Sequence, residues 1–585
     1  MHKKRNMKRN IFKPVRNHFP LFLFFLLLNL QSFVFSIRDW TIQNLFIFIS
    51  ISFLYAYISV LLCHISRSAI IKCCIYLILC TLCFTNIFLH YNFNTKVSPN
   101  IIQLIIETNS VECADFIQSF TKNPSTLLLL FCIIIFIIFI YIIEKKGEIL
   151  GNIINNQIIK KSLITFFIMG CFSFVFFYGT LLKCNNTIEV DEWIKKYETK
   201  PMDNISNLIY SIYDIILMKK EIRLAIKSTD DILEKPVVTH DSLNIILVIG
   251  ESFNKYHSNL YGYYLNTNPI LTEEKKKHRL FVFNNAYSPY NLTSKVLKNM
   301  FSTNSVGEKE SWSSNPFFPT IFNLSGYDVS FWDNQYNPLS RDEFDFSLNS
   351  YIHNPKIEKQ SFKLTNKKVF EFDHQLINDY FKTTKNAKSK LNFSIFHLLG
   401  QHFAYYNRFP HDKGNHDYFS IDSIHPKNNV STSEMRQIIA DYDNATRYND
   451  YVIGLLINFF KSQNTILLYI SDHGEEVYDY RNKYGRSWEN PIPRDVIKYQ
   501  YEIPFFIWCS DLYIKNHPET IKYIMSSVNK LFSSDNICHL LFSIASIKTK
   551  YYNQKRDILN PKYKTPKIII NDMVEVTSLD ITSRE

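Results

Sequence analysis

Long apolar runs fill the first third of the chain, and short ones punctuate the rest. Five stretches, at about 18–36, 43–65, 69–91, 125–143 and 162–182, stay apolar over the roughly 20 residues a helix needs to cross a bilayer. The fourth, TLLLLFCIIIFIIFIYII, is the least interrupted. The first lacks a small-residue cleavage site and is followed by further spans, so it reads as a retained helix rather than a removed signal. Beyond residue 183 the apolar runs shorten, and each ends in polar residues: NIILVIG (244–250) at Glu251, LFVFNNAY (280–287) before NLTSK, FSIFHLLG (393–400) at Gln401 and His402, and TILLYIS (465–471) at Asp472 and His473. IPFFIW (503–508) is a further candidate strand. Runs of this length without polar alternation suit strands buried on both faces of a mostly parallel sheet. Helical periods lie between them, as in 433–461, and the pattern predicts an α/β sandwich. Ligands of open α/β sheets gather at the carboxyl ends of the strands, where these polar residues fall.

Charge orients the membrane part. Lys3, Lys4, Arg5, Lys8, Arg9, Lys13 and Arg16 precede the first span, Arg67 and Lys72 lie between the second and third, and Lys145, Lys146, Lys160 and Lys161 between the fourth and fifth. The positive-inside bias puts the N-terminus in the cytoplasm and, after five crossings, residues 183–585 outside, in the periplasm of a cell with two membranes. The chain of 585 residues thus divides into a transmembrane domain (1–182), bridging helices (183–238) and an extracytoplasmic domain (239–585). The net charge of +12 owes much to the N-terminal cluster, which removes the main argument for nucleic acid as a partner. Of eleven cysteines only Cys184, Cys509 and Cys538 lie beyond the spans, without close pairs, so neither a disulfide framework nor a thiolate zinc site is expected. EEKKKHR (273–279) reads as a solvated loop.

A hydroxyl needs a base or a metal to become a nucleophile at neutral pH. Zinc takes carboxylate and imidazole ligands in four-coordinate sites. Glu251, Asp472 and His473 supply three such groups, and Thr293 can fill the fourth position. Singly each has a plainer reading: Glu251 as a helix cap, Asp472–His473 as a surface turn.

The order of the motifs adds to this. VIGESFNKYHSNLYGYYLNTNP (248–269), SPYNLTSKVLKNMFS (288–302), LLGQHFAYY (398–406), YDNATRYNDYVI (442–453) and SDHGEEVYDY (471–480) resemble the ordered motifs of the phosphoethanolamine transferases. Those enzymes have the sulfatase-like, alkaline-phosphatase fold behind five membrane helices. The resemblance covers 244–510 and implies a zinc enzyme that carries phosphoethanolamine from phosphatidylethanolamine on Thr293 to a lipopolysaccharide acceptor, lipid A or a core sugar. It implies Glu251, Thr293, Asp472 and His473 as zinc ligands and His402 as a histidine that binds the phosphoryl group or a second zinc. TNSVE, with Thr108, Asn109 and Glu112, is similar to a family pattern implicated in holding the donor's head group, and a carboxylate suits its ammonium.

Two departures matter. Where similar enzymes place a further histidine, this chain has Arg486, which can clamp a phosphate oxygen but cannot ligate zinc, so one zinc site is expected rather than two. The disulfides of the polymyxin-resistance members are also missing, which moves the likeness towards core-oligosaccharide types. A sulfatase would need Cys or Ser in C/S-x-P-x-R, which NLTSK lacks. A phosphoglycerol transferase shares the spans, the threonine and SDHG, but the TNSVE loop favours phosphatidylethanolamine. A degenerate, non-enzymatic envelope protein is the remaining alternative, and the intact Glu251, Thr293, Asp472 and His473 argue against it.

Overall fold

Every position of LNIILVIG except Asn244 is apolar or glycine, and a strand so composed must be covered on both faces. In the computed structural model, Leu243–Gly250 is the middle strand of a seven-stranded sheet. The structure describes residues 11–32, 42–108 save 67 and 94, scattered positions between 113 and 142, 156–197, 203–232, 236–238, 242–335 save 309, 352–385, 389–411, 418–425, 430, 432–487, 489, 492–571 and 574–576. They form two compact units, Met1–Met218 and Lys219–Glu585, whose boundary falls inside the helix Asn204–Asp230.

In the second unit the strand order is 280–283, 505–509, 465–471, 243–250, 391–397, 328–333, 364–365. Leu243–Gly250 runs parallel to both neighbours, with Ile249 opposite His397 and Gly250 opposite Ser471. Only Phe505–Cys509 is antiparallel to its neighbours, so the sheet is mostly parallel as expected. Leu243, Ile245, Leu247 and Ile249 point into one core with Val296, Leu297, Met300 and Phe301 of the helix Thr293–Phe301. Ile246 and Val248 point into the other, against Val452, Ile453, Leu456 and Phe460 of Ser433–Phe460.

Three elements differ from the sequence reading. LFVFNNAY splits, with Leu280–Phe283 in the main sheet and Asn285–Tyr287 paired with Leu531–Ser533. The strand Asp328–Asp333 escaped notice because its aspartates and serine break the apolar run, although most of it is buried. EEKKKHR is not simply a solvated loop. Its start belongs to the helix Pro269–Lys276, and Glu274 is buried and accepts from Trp508 Nε1 at 2.9 Å.

In the first unit three helices among the described residues are long and apolar enough to span a membrane, within Leu45–Ser66, Ile70–Phe93 and Gln157–Leu181. They match the second, third and fifth expected spans. The first expected span carries the shorter apolar helix Phe19–Leu30, and most of the fourth lies outside the described residues. Ile42–Ser66 and Gln157–Leu181 pack closely at Gly170, where a Cβ would lie 2.5 Å from the Ser50 carbonyl oxygen. Small residues serve such contacts because lipid offers helices no hydrophobic driving force to associate.

Candidate active site

Adjacent parallel strands that end level bring their next residues together. Glu251 follows Gly250, and Asp472 and His473 follow Ser471, its register partner. All three are fully buried, and one ligand atom from each lies within 4.8 Å of the others. Among the described residues this is the one group of three or more His, Cys, Asp or Glu so placed. His473 Nε2 is 3.2 Å from Asp472 Oδ2 and 3.4 Å from Glu251 Oε1. The Thr293 hydroxyl donates to Glu251 Oε2 at 3.1 Å and lies 3.4 Å from His473 Nε2. Thr293 is the first residue of its helix, and Leu292 before it provides no side-chain cap. The positive end of the helix dipole therefore lies beside the threonine oxygen and favours an anion there.

The loops are tailored to this meeting. Ser252, at a left-handed φ of 56°, donates its amide to Asp472 Oδ1 (3.0 Å) and its hydroxyl to Glu251 Oε1 (2.7 Å). Such backbone strain persists only where the surroundings over-determine it. Gly400, at φ 49°, lies so close to Glu251 that a Cβ would come within 2.8 Å of its carbonyl oxygen.

The polar atoms fit a cation. His473 Nδ1–H donates to the Gly474 carbonyl at 2.8 Å, which leaves the Nε2 lone pair facing the two carboxylates. Burial and the Arg486 guanidinium lower the His473 pKa and keep Nε2 unprotonated. Burial and the adjacent Glu251 push the Asp472 carboxyl well above the usual carboxylate range, and its Oδ2 has no hydrogen-bond partner. Two buried carboxylates, an unprotonated imidazole nitrogen and a hydroxyl are a donor set that suits a divalent ion such as zinc.

Arg486 reaches the same group of residues. Its Nη1 lies 3.1 Å from His473 Nε2 and 3.4 Å from the Asn291 carbonyl, and its Nε is 3.9 Å from Glu475 Oε2. His402 is there too: burial, aided by Arg408 and Arg486 against Glu251, lowers its pKa to about 3 and keeps the imidazole neutral. Two further participants were not foreseen. Gln335 Nε2 donates to Glu251 Oε2 (3.2 Å) and to the Leu398 carbonyl (2.6 Å), from a loop whose strand the sequence hid. Glu475 was legible only as a letter of SDHGE. It accepts from the Tyr405 hydroxyl at 2.9 Å, and burial pushes it up to about 7. Thr108 belongs to the other unit, where it ends the helix Pro99–Glu107 and its hydroxyl donates to the Leu104 carbonyl at 2.7 Å. Asn109 and Glu112 lie outside the described residues.

His257 braces both ligand loops. Its Nδ1 is 2.6 Å from Asp443 Oδ1 and its Nε2 3.3 Å from Asp479 Oδ1, while Asn254 Nδ2 donates to Asp479 Oδ2 at 3.1 Å. Burial alone would lower the His257 pKa, but the two aspartates outweigh it and raise it from 6.5 to about 9. A raised folded-state pKa stabilises fully below the unfolded value and is lost as pH climbs through the folded one. Thermal stability is therefore expected to fall between about pH 6.5 and 9, by up to about 3 kcal/mol, and the fall should be absent in His257→Asn. Melting curves across that range check it. An identical decline in the variant would show that His257 is not the source.

A match to the sulfatase family spans residues 243–547, just over half of the chain, and the chain belongs to that family. Phosphoethanolamine transferase EptC of Escherichia coli (strain K12) is 29% identical over 327 residues, 55% of this chain and 54% of that protein. The Kdo(2)-lipid A phosphoethanolamine 7''-transferase of the same strain is 25% identical over 283 residues, 47% and 46%. The chain thus spans about half the length of these curated relatives. The likeness to phosphoethanolamine transferases read from the motifs is borne out, and it is longer and closer with EptC than with the lipid A enzyme. The integral membrane lipooligosaccharide phosphoethanolamine transferase A (EptA) of Neisseria meningitidis shares the fold over 94% of this chain and 97% of its own, with a TM-score of 0.57 at 16% identity.

Proposed function

We propose that the chain is a membrane-anchored phosphoethanolamine transferase that moves phosphoethanolamine from phosphatidylethanolamine to a lipopolysaccharide glycan through a covalent intermediate on Thr293. The observation that carries this is the Thr293 hydroxyl at a helix N-terminus, 3.1 Å from Glu251 Oε2 and 3.4 Å from His473 Nε2. A single zinc ion held by Glu251, Thr293, Asp472 and His473 would supply Lewis acidity to the hydroxyl and to a phosphoryl oxygen. In the first step Thr293 Oγ1 bonds to phosphorus and the bond from phosphorus to the diacylglycerol oxygen breaks. The threonine proton leaves along its hydrogen bond to Glu251 Oε2 and ends on the departing diacylglycerol. In the second, an acceptor hydroxyl oxygen bonds to phosphorus, the bond to Thr293 Oγ1 breaks, and the acceptor's proton returns to the threonine. The Arg486 guanidinium, the neutral His402 imidazole and the positive end of the helix dipole are placed to stabilise charge on the phosphoryl oxygens.

The N-terminal part is read as five spanning helices with the catalytic domain, 239–585, in the periplasm, the segment 183–238 bridging the two. Thr108, Asn109 and Glu112 are assigned to the donor's head group, the Glu112 carboxylate as the partner of its ammonium. The test is donor choice. Given head-group-labelled phosphatidylethanolamine or phosphatidylglycerol in mixed micelles with lipopolysaccharide, the full chain is expected to transfer label from the first only. Equal or preferred transfer from phosphatidylglycerol would make it a phosphoglycerol transferase.

A further inference from the structure

The helix Thr293–Phe301 ends beside a cavity of about 880 Å³ that takes no part in the site above. Thr303 and Asn304 line it just past the helix end, facing His539 and a polar loop that carries Lys550, Lys555 and Lys562. Nine residues at a rise of 1.5 Å put it roughly 14 Å along the helix from the nucleophile.

Three observations give the cavity a chemistry. First, the Thr303 side chain is 95% buried, yet its hydroxyl has no hydrogen-bond partner. A buried hydroxyl left unpaired costs about 1–3 kcal/mol, so one that lines a cavity is suited to a polar ligand. Second, the charge is positive and available. Glu308 is neutralised by Arg556 at 2.8 Å, whereas Lys555 and Lys562 are exposed and make no ion pair among the described residues. Third, the remaining wall is amide and aromatic: Asn304, Asn315, Asn553, Gln554, Tyr551 and Tyr552. His539, 2% exposed, accepts the Asn553 amide at Nδ1 (3.4 Å), which leaves its Nε2–H as a donor. Lysines select an anion, amides and a histidine exchange hydrogen bonds with hydroxyls, and tyrosine rings offer flat apolar faces. An anionic saccharide, bearing phosphate or carboxylate and many hydroxyls, satisfies all three.

We propose that this cavity is a docking site for an anionic saccharide, which it grips away from the reacting phosphorus. That the saccharide is the glycan of the acceptor rests on the transferase reading above; that the cavity binds it does not. The helix from Thr293 to Phe301 joins the two places within one rigid element of the core, so a glycan held at one end is fixed relative to the nucleophile at the other.

The experiment is a calorimetric titration of the full chain in detergent with the delipidated, phosphorylated core oligosaccharide of lipopolysaccharide. Saturable binding is expected, weakened at least tenfold in the double variant Lys555→Ala/Lys562→Ala and also weakened in Thr303→Val. Both lysines are exposed, so the double variant should stay folded, as its melting curve will show. Binding is repeated on Thr293→Ala, which should bind the oligosaccharide like the parent chain. Absence of transfer by the parent chain, with its binding intact, would overturn the transferase reading and leave the docking site standing. No binding by the parent chain, or equal binding by the lysine variant, overturns the docking site. So does lysine-dependent binding to phosphatidylglycerol vesicles without binding to the oligosaccharide.

Discussion

Replacing Thr293 by alanine is expected to lower transfer by at least about 10⁴-fold while leaving the domain folded. The loss is large because the hydroxyl is the atom that would carry the phosphoryl group, 3.1 Å from Glu251 Oε2 and 3.4 Å from His473 Nε2. Stability should change by only about 1 kcal/mol, the worth of one hydrogen bond. Thr293→Ser restores the oxygen without the methyl and should recover most of the activity, whereas Thr293→Val keeps the shape and should stay inactive. Transfer is read as labelled head group arriving on lipopolysaccharide. Activity in the valine variant would remove Thr293 from the chemistry.

Asp472→Asn should separate metal binding from folding, and its two effects have opposite signs. With metal chelated, the native protein buries Asp472 and Glu251 together with no cation between them, and Asp472 Oδ2 is unpartnered. Removing one carboxylate relieves that repulsion, so the chelated variant is expected to be more stable than the chelated parent, by about 1–2 kcal/mol. With zinc in excess the order reverses. A bound metal adds roughly 3–4 kcal/mol at 100–1,000 times its dissociation constant, and only the parent gains it. Transfer by the variant should fall by more than the roughly 10–100-fold that losing a group behind a ligand costs. Melting temperatures of both proteins with chelator and with zinc decide it. A parent indifferent to zinc would rule out the metal site.

The parts of the site legible in the sequence were those where an apolar strand stops abruptly at a charged residue. Glu251 and Asp472–His473 end two runs so uniformly apolar that only central parallel strands fit them, and neighbouring parallel strands that end level must present their next residues together. The Thr293 role came through motif order rather than periodicity, since nothing in NLTSK by itself marks a helix start. Gln335 was hidden for a physical reason. It follows Asp328–Asp333, where Ser330 pairs with the Ser394 hydroxyl and Asp333 with His397, so the buried polar residues disguise a core strand. Burial alone would raise Asp333, but His397 and His353 hold its carboxyl well below its usual range. That solvation by partners distant in sequence cannot be read from a local pattern. The antiparallel course of Phe505–Cys509 was equally silent, because a strand buried on both faces reads the same in either direction.

Arg486 stood out in the sequence as a departure from the pattern of similar enzymes, and the structure puts it against the ligand group. Its guanidinium faces His473 Nε2 and Glu475. A fixed positive charge there neither ligates a metal nor shuttles a proton, so the proposed mechanism gives Arg486 only the phosphoryl oxygens.

The covalent step is tested most directly by peptide mass spectrometry of the full chain, quenched in acid after incubation with phosphatidylethanolamine in the absence of acceptor. The result expected is a phosphoethanolamine adduct on the peptide containing Thr293, absent from Thr293→Ala and discharged when lipopolysaccharide is added. Transfer to lipopolysaccharide at full rate with Thr293 never modified would contradict it.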